Sequence, residues 1–454
     1  MQFFKRYKIG FAIFFLAVAV RLIFFFVCLS ANGGDVITTV RGQDWYFEIS
    51  RNLILGNGFS AETTPPFTPY SYGVPGYPYF LFFLLWLTGS YAATSMIQLL
   101  LSAAIPLIGM RIARLIVPSD VEFKHAPLAV GILLALAPYQ ILHSFIFFTE
   151  TLFTALLGIF LITFLNFLKN PSTRLVVLAG LFLGLATLVK PTVQYVPILV
   201  VIFVLWRFCG EWRKKLFAQL GYFLLMFFLV LSPWLYRNYK VFDTVNLSAQ
   251  VSFNLYVTLL PSVLAIENHS SFTEEQGKLP PVAQDALFGA GESTLTKILR
   301  HPVALIKLAT LSAFTFFTHD GMLTFLQSAG VTPSVYLGQP AIILALSDPL
   351  LFAKTMWAYM HTNMVVILFA RLFWVAVAFF FGVGLYHLFC RRIFTPQMLF
   401  AVALVLYFML TTMINGLTVN ARFRMPVEPI IFAVAVIGFT PVYKRIKNFS
   451  YGKS

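Results

Sequence analysis

The chain has 454 residues, of which 59% are hydrophobic and 17% aromatic, while only 11% are charged. Soluble domains carry roughly 25% charged residues, so this composition excludes an ordinary soluble enzyme. The net charge of +15 does not indicate a nucleic-acid partner, because 18 of the 32 basic residues but only three of the 17 acidic ones fall in the termini and short loops that we assign to the cytoplasm. That asymmetry follows the positive-inside rule of membrane proteins.

Apolar runs of about 20 residues, enough to cross a ~30 Å hydrocarbon core as a helix, recur along the chain. They show neither the alternation of β-barrel strands nor a one-sided helical stripe, so we expect an all-α polytopic membrane protein. The predicted spans are residues 9–29, 92–116, 127–142, 147–168, 175–189, 192–206, 217–236, 363–390, 398–415 and 427–443. Two further apolar segments, 303–318 and 340–353, would raise the count from ten to twelve if both crossed.

This arrangement of ten spans predicts a protein of the plasma (inner) membrane. Both termini lie in the cytoplasm, and the longest connecting segments lie outside. The arrangement divides the chain into an N-terminal transmembrane module (1–236) with an external loop at 30–90, an external or juxtamembrane segment (237–360), and C-terminal transmembrane helices (361–454). The cytoplasmic loops are too short to contain a nucleotide-binding domain. An extracytoplasmic site is therefore expected.

The first external loop contains DWYFEISRNLILG at residues 44–56, which predicts an amphipathic helix lying on the membrane surface. In such a helix Asp44, Glu48 and Arg51 share a face turned to water. Asp44 at its start could simply stabilise the helix N-terminus, which favours a carboxylate. That role is compatible with a chemical one.

Arginines inside spans need polar partners, because a charge facing hydrocarbon is costly. Arg21 and Arg371 lie well inside predicted spans, and we expect each to face such a partner within the bundle. The histidines show no ligand spacing and are predicted to be structural or to lie on the surface.

Several short motifs occur in a fixed order along the chain. They are Asp44-x-Tyr46 followed by Leu55-Gly56-Asn57-Gly58-Phe59, then Pro75-Gly76-Tyr77-Pro78, Thr149-Glu150-Thr151-Leu152-Phe153, Ala179-Gly180-Leu181 with Val189-Lys190-Pro191-Thr192, Ser232-Pro233-Trp234-Leu235-Tyr236-Arg237-Asn238 and Ala421-Arg422-Phe423-Arg424-Met425-Pro426. Their order resembles that of the GT-C membrane glycosyltransferases that use polyprenyl-phosphate sugars, including the dolichyl-phosphate-mannose protein mannosyltransferases and the lipid A aminoarabinose transferases. Many relatives carry Asp-Glu where this chain has Asp44-Trp45, and residues 245–360 resemble no part of the family.

The resemblance implies a GT-C helix bundle with external juxtamembrane helices and an inverting transfer of a hexosyl or pentosyl group from a polyprenyl-phosphate donor to an acceptor hydroxyl. One general base suffices, because phosphate is already a good leaving group. Asp44 matches that base, and Asp35 is the second choice. Glu150 would orient the acceptor or hold a divalent cation, unless it only serves the helix N-terminus. No other cofactor is expected.

The departing lipid phosphate needs positive charge, and both Arg and Lys bind phosphate. Candidates from the matched motifs are Arg237, Arg422, Arg424 and Lys190, although each could instead reach towards lipid headgroups. Glu428, four residues beyond Arg424, is expected to pair with it.

Other functions fit part of the pattern. A transporter or lipid flippase would place polar groups near the bilayer midplane in a repeated architecture, whereas the acids here gather at one interface. A ligase or polymerase of lipid-linked oligosaccharides is compatible with the long segment 237–360. The sequence leaves open which sugar is moved and whether the acceptor is a glycan, a lipid or a protein.

Overall fold

The computed structural model describes residues 2–118, 123–208, 214–280, 290–332, 344, 348–362 and 364–451. Within those ranges the chain is helical apart from its connecting turns, and no strand occurs, as expected. The helices are α1 (Gln2–Ala31), α2 (Val36–Val40), α3 (Tyr46–Leu55), α4 (Gly76–Thr88), α5 (Tyr91–Ile116), α6 (Ala126–Leu136), α7 (Pro138–Leu142), α8 (Glu150–Lys169), α9 (Thr173–Val189), α10 (Val196–Arg207), α11 (Lys214–Phe242), α12 (Gln250–Asn254), α13 (Leu260–Glu267), α14 (Phe272–Gly277), α15 (Ala290–Leu299), α16 (Pro302–Thr318), α17 (Met322–Ser328), α18 (Pro349–Met360), α19 (Val365–Arg391), α20 (Pro396–Thr412) and α21 (Glu428–Tyr451).

Among the described residues, seven helices are long and apolar enough to cross a membrane: α1, α5, α8, α11, α19, α20 with its extension to Thr418, and α21 with the turn that precedes it. These correspond to seven of the ten predicted spans. The other three predicted spans fall on shorter apolar helices, α6, α9 and α10. The end of α15 and α16 together would make an eighth span, bent by 95°. The total of ten therefore stays a prediction, and segment 340–353 lies largely outside the described residues.

Helix α8 is the most enclosed of the long spans, together with α21. Its phenylalanines Phe153, Phe160 and Phe164 are fully buried, and the ring of Phe164 packs 4.4 Å from that of Phe400 on α20. Large apolar side chains on α1, α11 and α19 point outward instead; they include Phe26, Leu225, Phe228, Phe369 and Phe389. An apolar exterior of this extent fits a helix bundle surrounded by lipid.

The α19–α21 contact is close enough to require glycine. A Cβ atom on Gly384 would lie 2.2 Å from the carbonyl oxygen of Val434, whereas one on Gly382, two residues earlier, would meet nothing within 4 Å. Small residues let membrane helices approach at backbone distance. This packing fixes α21, whose N-terminal end follows the turns that bear Arg422.

Both arginines predicted to face polar partners do so. The Nε of Arg21 donates to Ser102 Oγ at 2.9 Å, and its Nη1 donates to the Ala135 carbonyl at 3.2 Å. Arg371 on α19 pairs with the buried carboxylate of Asp320 at 2.6 Å. Asp320 lies just beyond α16, so this pair joins the segment after α16 to α19.

The surface helix predicted at 44–56 forms, but its faces differ from the expectation. It begins at Tyr46 and ends at Leu55, and its C-cap residue Gly56 has φ 79°. Glu48 is buried and pairs with Arg41 instead of facing water. Glu48 is therefore the member of the predicted water-facing set that lies inside the protein, whereas Arg51 is exposed.

Candidate active site

Four of the sequence-predicted residues converge on one cluster. The Nζ of Lys190 donates to Glu150 Oε1 at 3.0 Å, and the Nη2 of Arg422 donates to Asp44 Oδ2 at 2.7 Å. The Nε of Arg422 also donates to Glu150 Oε1. The order Asp44–Arg422–Glu150–Lys190 is therefore a continuous chain of alternating charges. We refer to it as the charge cluster.

Asp44 is positioned by the turn before α3. The amide of Phe147 donates to the carbonyl of Val40 at 2.7 Å, which fixes the loop at 41–45 against the loop before α8. Gly42 makes this approach possible, because a Cβ there would lie 2.8 Å from the Phe147 carbonyl oxygen. Asp44 does not cap α3, since the N-cap is Trp45 and no side chain bonds to that helix end.

Glu150 begins α8 and is fully buried. The loop before it is held by Gln98 on α5, whose Nε2 donates to the Ile146 carbonyl at 2.7 Å while its Oε1 accepts from the Tyr77 hydroxyl at 2.6 Å. Lys190 follows the last residue of α9 and is also buried. Removing one partner of such a buried pair costs roughly 3–5 kcal/mol, so this pair is expected to be rigid.

Arg422 lies in the short 3₁₀ turn Ala421–Phe423. The Asn420 side chain accepts from the Arg422 amide at 3.0 Å, and the ring of Phe148 lies 4.7 Å below the guanidinium carbon. Burial opposes its charge, but Glu150 and Asp44 outweigh that effect and raise the pKa of Arg422. It is therefore a permanent cation.

Tyr46 and His143 border the cluster and received no role from the sequence. Burial, reinforced by the Asp44 carboxylate, raises the pKa of Tyr46, so its phenol stays neutral. Burial lowers the pKa of His143 to about 4, and its Nδ1 donates to the Tyr139 carbonyl at 3.0 Å. The remaining ring nitrogen of this neutral histidine is a hydrogen-bond acceptor. The motif Asp44-x-Tyr46 was the only sequence signal for Tyr46, and no motif pointed to His143.

The other predicted site residues lie elsewhere. Asp35 is an exposed N-cap, accepting from the Ile37 amide at 2.9 Å. Arg237 lies among aromatic rings, 4.6 Å from that of Trp234, and donates to Asn238 Oδ1 at 2.9 Å. Among the described residues, the contacts of its half-buried guanidinium include no member of the charge cluster.

Arg424 is fully buried, two residues after Arg422. Its two terminal nitrogens donate to the carbonyls of Phe316 at 2.7 Å and His319 at 2.8 Å, and its guanidinium stacks 3.4 Å from the Trp374 ring. Glu428 lies 3.5 Å away, which confirms the expected pairing. Arg424 thus anchors the loop, and its complete burial keeps its guanidinium away from a phosphate.

A divalent cation does not fit the arrangement. Asp44 and Glu150, the two carboxylates that could hold one, are bridged by the guanidinium of Arg422, and Glu150 also bonds Lys190. Within the part of the chain that the structure describes, no three His, Cys, Asp or Glu side chains come together as a ligand set. The positive charge at this site belongs to the protein itself.

Lys190 also borders a cavity of about 300 Å³ lined by residues of α12 and α20, including Gln250, Asn254 and Thr411, and by Phe423 of the turn that carries Arg422. Gln194 and Tyr195 line both this cavity and a larger apolar groove of about 610 Å³ between α10 and α11. The groove walls include Ile198, Ile202, Phe228 and Leu231. The cavity beside the buried ammonium and the apolar groove are therefore neighbours that share Gln194 and Tyr195.

No protein-family model matches the sequence, and no curated protein is significantly similar to it. Solved structures do match. The oligosaccharyltransferase AglB from Archaeoglobus fulgidus, in complex with an inhibitory peptide and a dolichol-phosphate, matches with a TM-score of 0.51 and 15% identity over 99% of this chain and 52% of that chain. An oligosaccharyltransferase of the same organism in the apo form gives a TM-score of 0.48 at 17% identity, covering 95% and 52%.

ArnT from Cupriavidus metallidurans bound to undecaprenyl phosphate matches with a TM-score of 0.35 and 15% identity over 95% of this chain and 78% of that chain. This chain spans about half the length of the oligosaccharyltransferase structures it matches. At such identities the likeness concerns the fold. The chain is accordingly a multi-pass membrane protein with the GT-C glycosyltransferase fold, as its motifs predict.

Proposed function

We propose that this protein transfers a sugar from a polyprenyl-phosphate donor to an acceptor hydroxyl on the extracytoplasmic side of the membrane, with inversion and with Asp44 as the general base. The observation that carries the proposal is the charge cluster beside an apolar groove. A lipid-linked phosphate needs a cation close to an apolar channel. Lys190 lines a cavity that shares Gln194 and Tyr195 with the apolar groove.

The base role rests on the two oxygens of Asp44. Its Oδ2 accepts from Arg422, whereas Oδ1 has no hydrogen-bond partner among the described residues. The side chain is 38% exposed, enough to meet an acceptor from solvent. Arg422 thus orients the carboxylate while one oxygen stays ready to accept the proton of an incoming hydroxyl.

The donor side rests on Lys190. Only one hydrogen bond of its ammonium is spent within the described residues, on Glu150, so two of its three N–H donors remain for phosphate oxygens. As the sugar leaves, negative charge grows on the phosphate, and a preorganised ammonium stabilises it without reorganisation. Burial of Glu150 between Lys190 and Arg422 holds both cations in place.

Replacing the base tests the proposal. In a lipid nanodisc, release of polyprenyl phosphate from a panel of radiolabelled undecaprenyl-phosphate mannose, glucose and arabinose would be measured in the presence of cell-envelope acceptors. We expect Asp44→Asn to lower turnover at least ~100-fold, the usual contribution of a general base. Asp35→Asn is the matched control, because asparagine also caps helices, and it should keep normal turnover.

Near-normal turnover in Asp44→Asn, with wild-type expression and thermal stability, would remove Asp44 from the base role. An equal loss in Asp35→Asn would point to general damage of the external loop.

A further inference from the structure

A second cavity, of about 380 Å³, borders the charge cluster and shares no lining residue with the cavity at Lys190. Its walls come from the end of α1, the 38–43 segment, the region of α7, α17 and the loop carrying Arg422. We call it the polar cavity. It is of a size that holds a small ligand.

The charged groups of the polar cavity are paired. Among the described residues, Arg41 and Arg422 are its only charged lining residues, and no carboxylate lines it. Arg41 pairs with Glu48, and Arg422 with Asp44 and Glu150. The charge of both guanidiniums is therefore compensated, and a phosphorylated or acidic acceptor would meet no excess positive charge there.

Neutral polar groups dominate the rest of the wall. They include the side chains of Asn32, Thr39, Gln43, Gln327, Ser328 and Asn420. No hydrogen bond joins the Gln43 or Gln327 side chain to another described residue, so both amides present donors and acceptors to the cavity.

Aromatic rings also line the polar cavity. Tyr139, His143 and Phe148 line the cavity, and the His143 ring lies 4.8 Å from Tyr139 and 5.5 Å from Phe148. Neutral amides and hydroxyls beside aromatic faces match a molecule with many hydroxyl groups and apolar C–H faces. A lipid tail would instead need an apolar channel like the α10–α11 groove, which shares Gln194 and Tyr195 with the cavity at Lys190.

We infer that the polar cavity receives a neutral saccharide as the acceptor. Its reactive hydroxyl extends past the lining residues Gln43 and Arg422 to Asp44, which bonds Arg422 and does not itself line the cavity. The inference rests on the proposed transfer reaction and narrows its acceptor from glycan, lipid or protein to a glycan. The hydroxyl proton passes to Asp44 Oδ1, the hydroxyl oxygen bonds to the sugar carbon, and the carbon–phosphate oxygen bond breaks with its electron pair kept by the lipid phosphate.

The test offers three acceptor classes to the wild-type protein in nanodiscs with the donor panel described above. The probes are methyl glycosides and disaccharides, a Ser/Thr-containing peptide, and diacylglycerol. We expect saturable transfer to a saccharide. Transfer to the peptide or to diacylglycerol with none to a saccharide would overturn the acceptor assignment and leave the proposed reaction standing, whereas no release of lipid phosphate from any donor would overturn both.

Glutamine-to-alanine variants in the two cavities test which substrate each cavity binds. Gln327→Ala should raise the KM for the saccharide at least fivefold and leave the KM for the donor unchanged. Gln250→Ala, a matched change in the cavity at Lys190, should raise the KM for the donor instead. Equal effects of the two variants on the two KM values would overturn the assignment of the polar cavity. A saccharide-dependent rise in Tm that Gln327→Ala weakens provides a readout independent of activity.

Discussion

The guanidinium of Arg422 holds two carboxylates with two different nitrogens, Nε towards Glu150 and Nη2 towards Asp44. Those donors are fixed on one rigid plane, which the single ammonium of lysine cannot reproduce. The bridge therefore depends on arginine specifically, even though lysine would preserve the charge.

Arg422→Lys is accordingly expected to lower kcat by about 10- to 100-fold, corresponding to roughly 1.4–2.7 kcal/mol of lost transition-state stabilisation. The Glu150–Lys190 pair persists, so the Tm in detergent should fall little. Arg51→Lys, at an exposed position on α3, is the control and should leave kcat unchanged. A fully active Arg422→Lys would show that the bridge does not orient Asp44.

His319 ties the Arg422 loop to the segment after α16. Its Nδ1 accepts from the amides of Ala421 at 3.2 Å and Gly321 at 3.1 Å, so that nitrogen must be unprotonated. Burial lowers its pKa to about 4, with Asp320 opposing this shift and Arg371 and Arg424 adding to it. Protonation would remove the acceptor that both amides share.

The sign of the pH dependence follows. Unfolded histidine has a pKa near 6.5, so between about pH 6.5 and 4 the unfolded chain binds a proton that the folded chain does not. The stabilisation is complete above this window and is lost as the pH falls through it. His319→Asn keeps an acceptor without titrating, so its Tm should fall less between pH 7 and 4.5 than that of the wild type. His361→Asn, at an exposed histidine, should follow the wild type; parallel curves for His319→Asn would contradict the assignment.

At the level of elements, the loop between α20 and α21 owes its shape to short 3₁₀ turns. A 3₁₀ helix has three residues per turn, so side chains two positions apart point in widely different directions. Arg422 therefore reaches the charge cluster while Arg424 is buried against Trp374. The sequence placed both arginines in one motif but carried no signal for this divergence.

Helix packing gives a test at the same scale. Gly384→Ala should destabilise the protein by about 1–3 kcal/mol, because a methyl group would press on the Val434 carbonyl. Gly382→Ala, on the same helix and facing open space, should leave stability unchanged or raise it by up to about 1 kcal/mol through better helix propensity. Thermal unfolding of both variants in detergent compares them. Equal Tm values would contradict the close α19–α21 contact.

Element positions were largely predictable, because each apolar run long enough to cross a membrane has few alternatives to a helix. The predicted 92–116 becomes Tyr91–Ile116, and 363–390 becomes Val365–Arg391. The face of α3 was not predictable, because Glu48 is buried by pairing with Arg41 from the preceding loop. The helical period of a sequence carries no information about a partner that lies outside the helix.

For the whole molecule, the charge cluster separates two unlike cavities. Glu150 bonds Arg422, which lines the polar cavity, and Lys190, which lines the cavity that neighbours the apolar groove. The motifs named all four residues of the cluster as candidates, yet they could not distinguish these from Arg237 and Arg424. That selection depends on contacts across as many as 378 positions of sequence, which no local pattern specifies.

The distances between these residues along the sequence also set the order in which the charge cluster is synthesised. Lys190 follows Glu150 by 40 residues, whereas Arg422 follows it by 272. At a synthesis rate of about 5–20 residues per second, the ribosome needs roughly 15–55 s to add the second interval. During that time Asp44 and Glu150 already exist without the arginine that bridges them. The loop that carries Arg422 is thus the last part of the charge cluster to be synthesised. A chain that stopped before this loop would lack the bridge between Asp44 and Glu150.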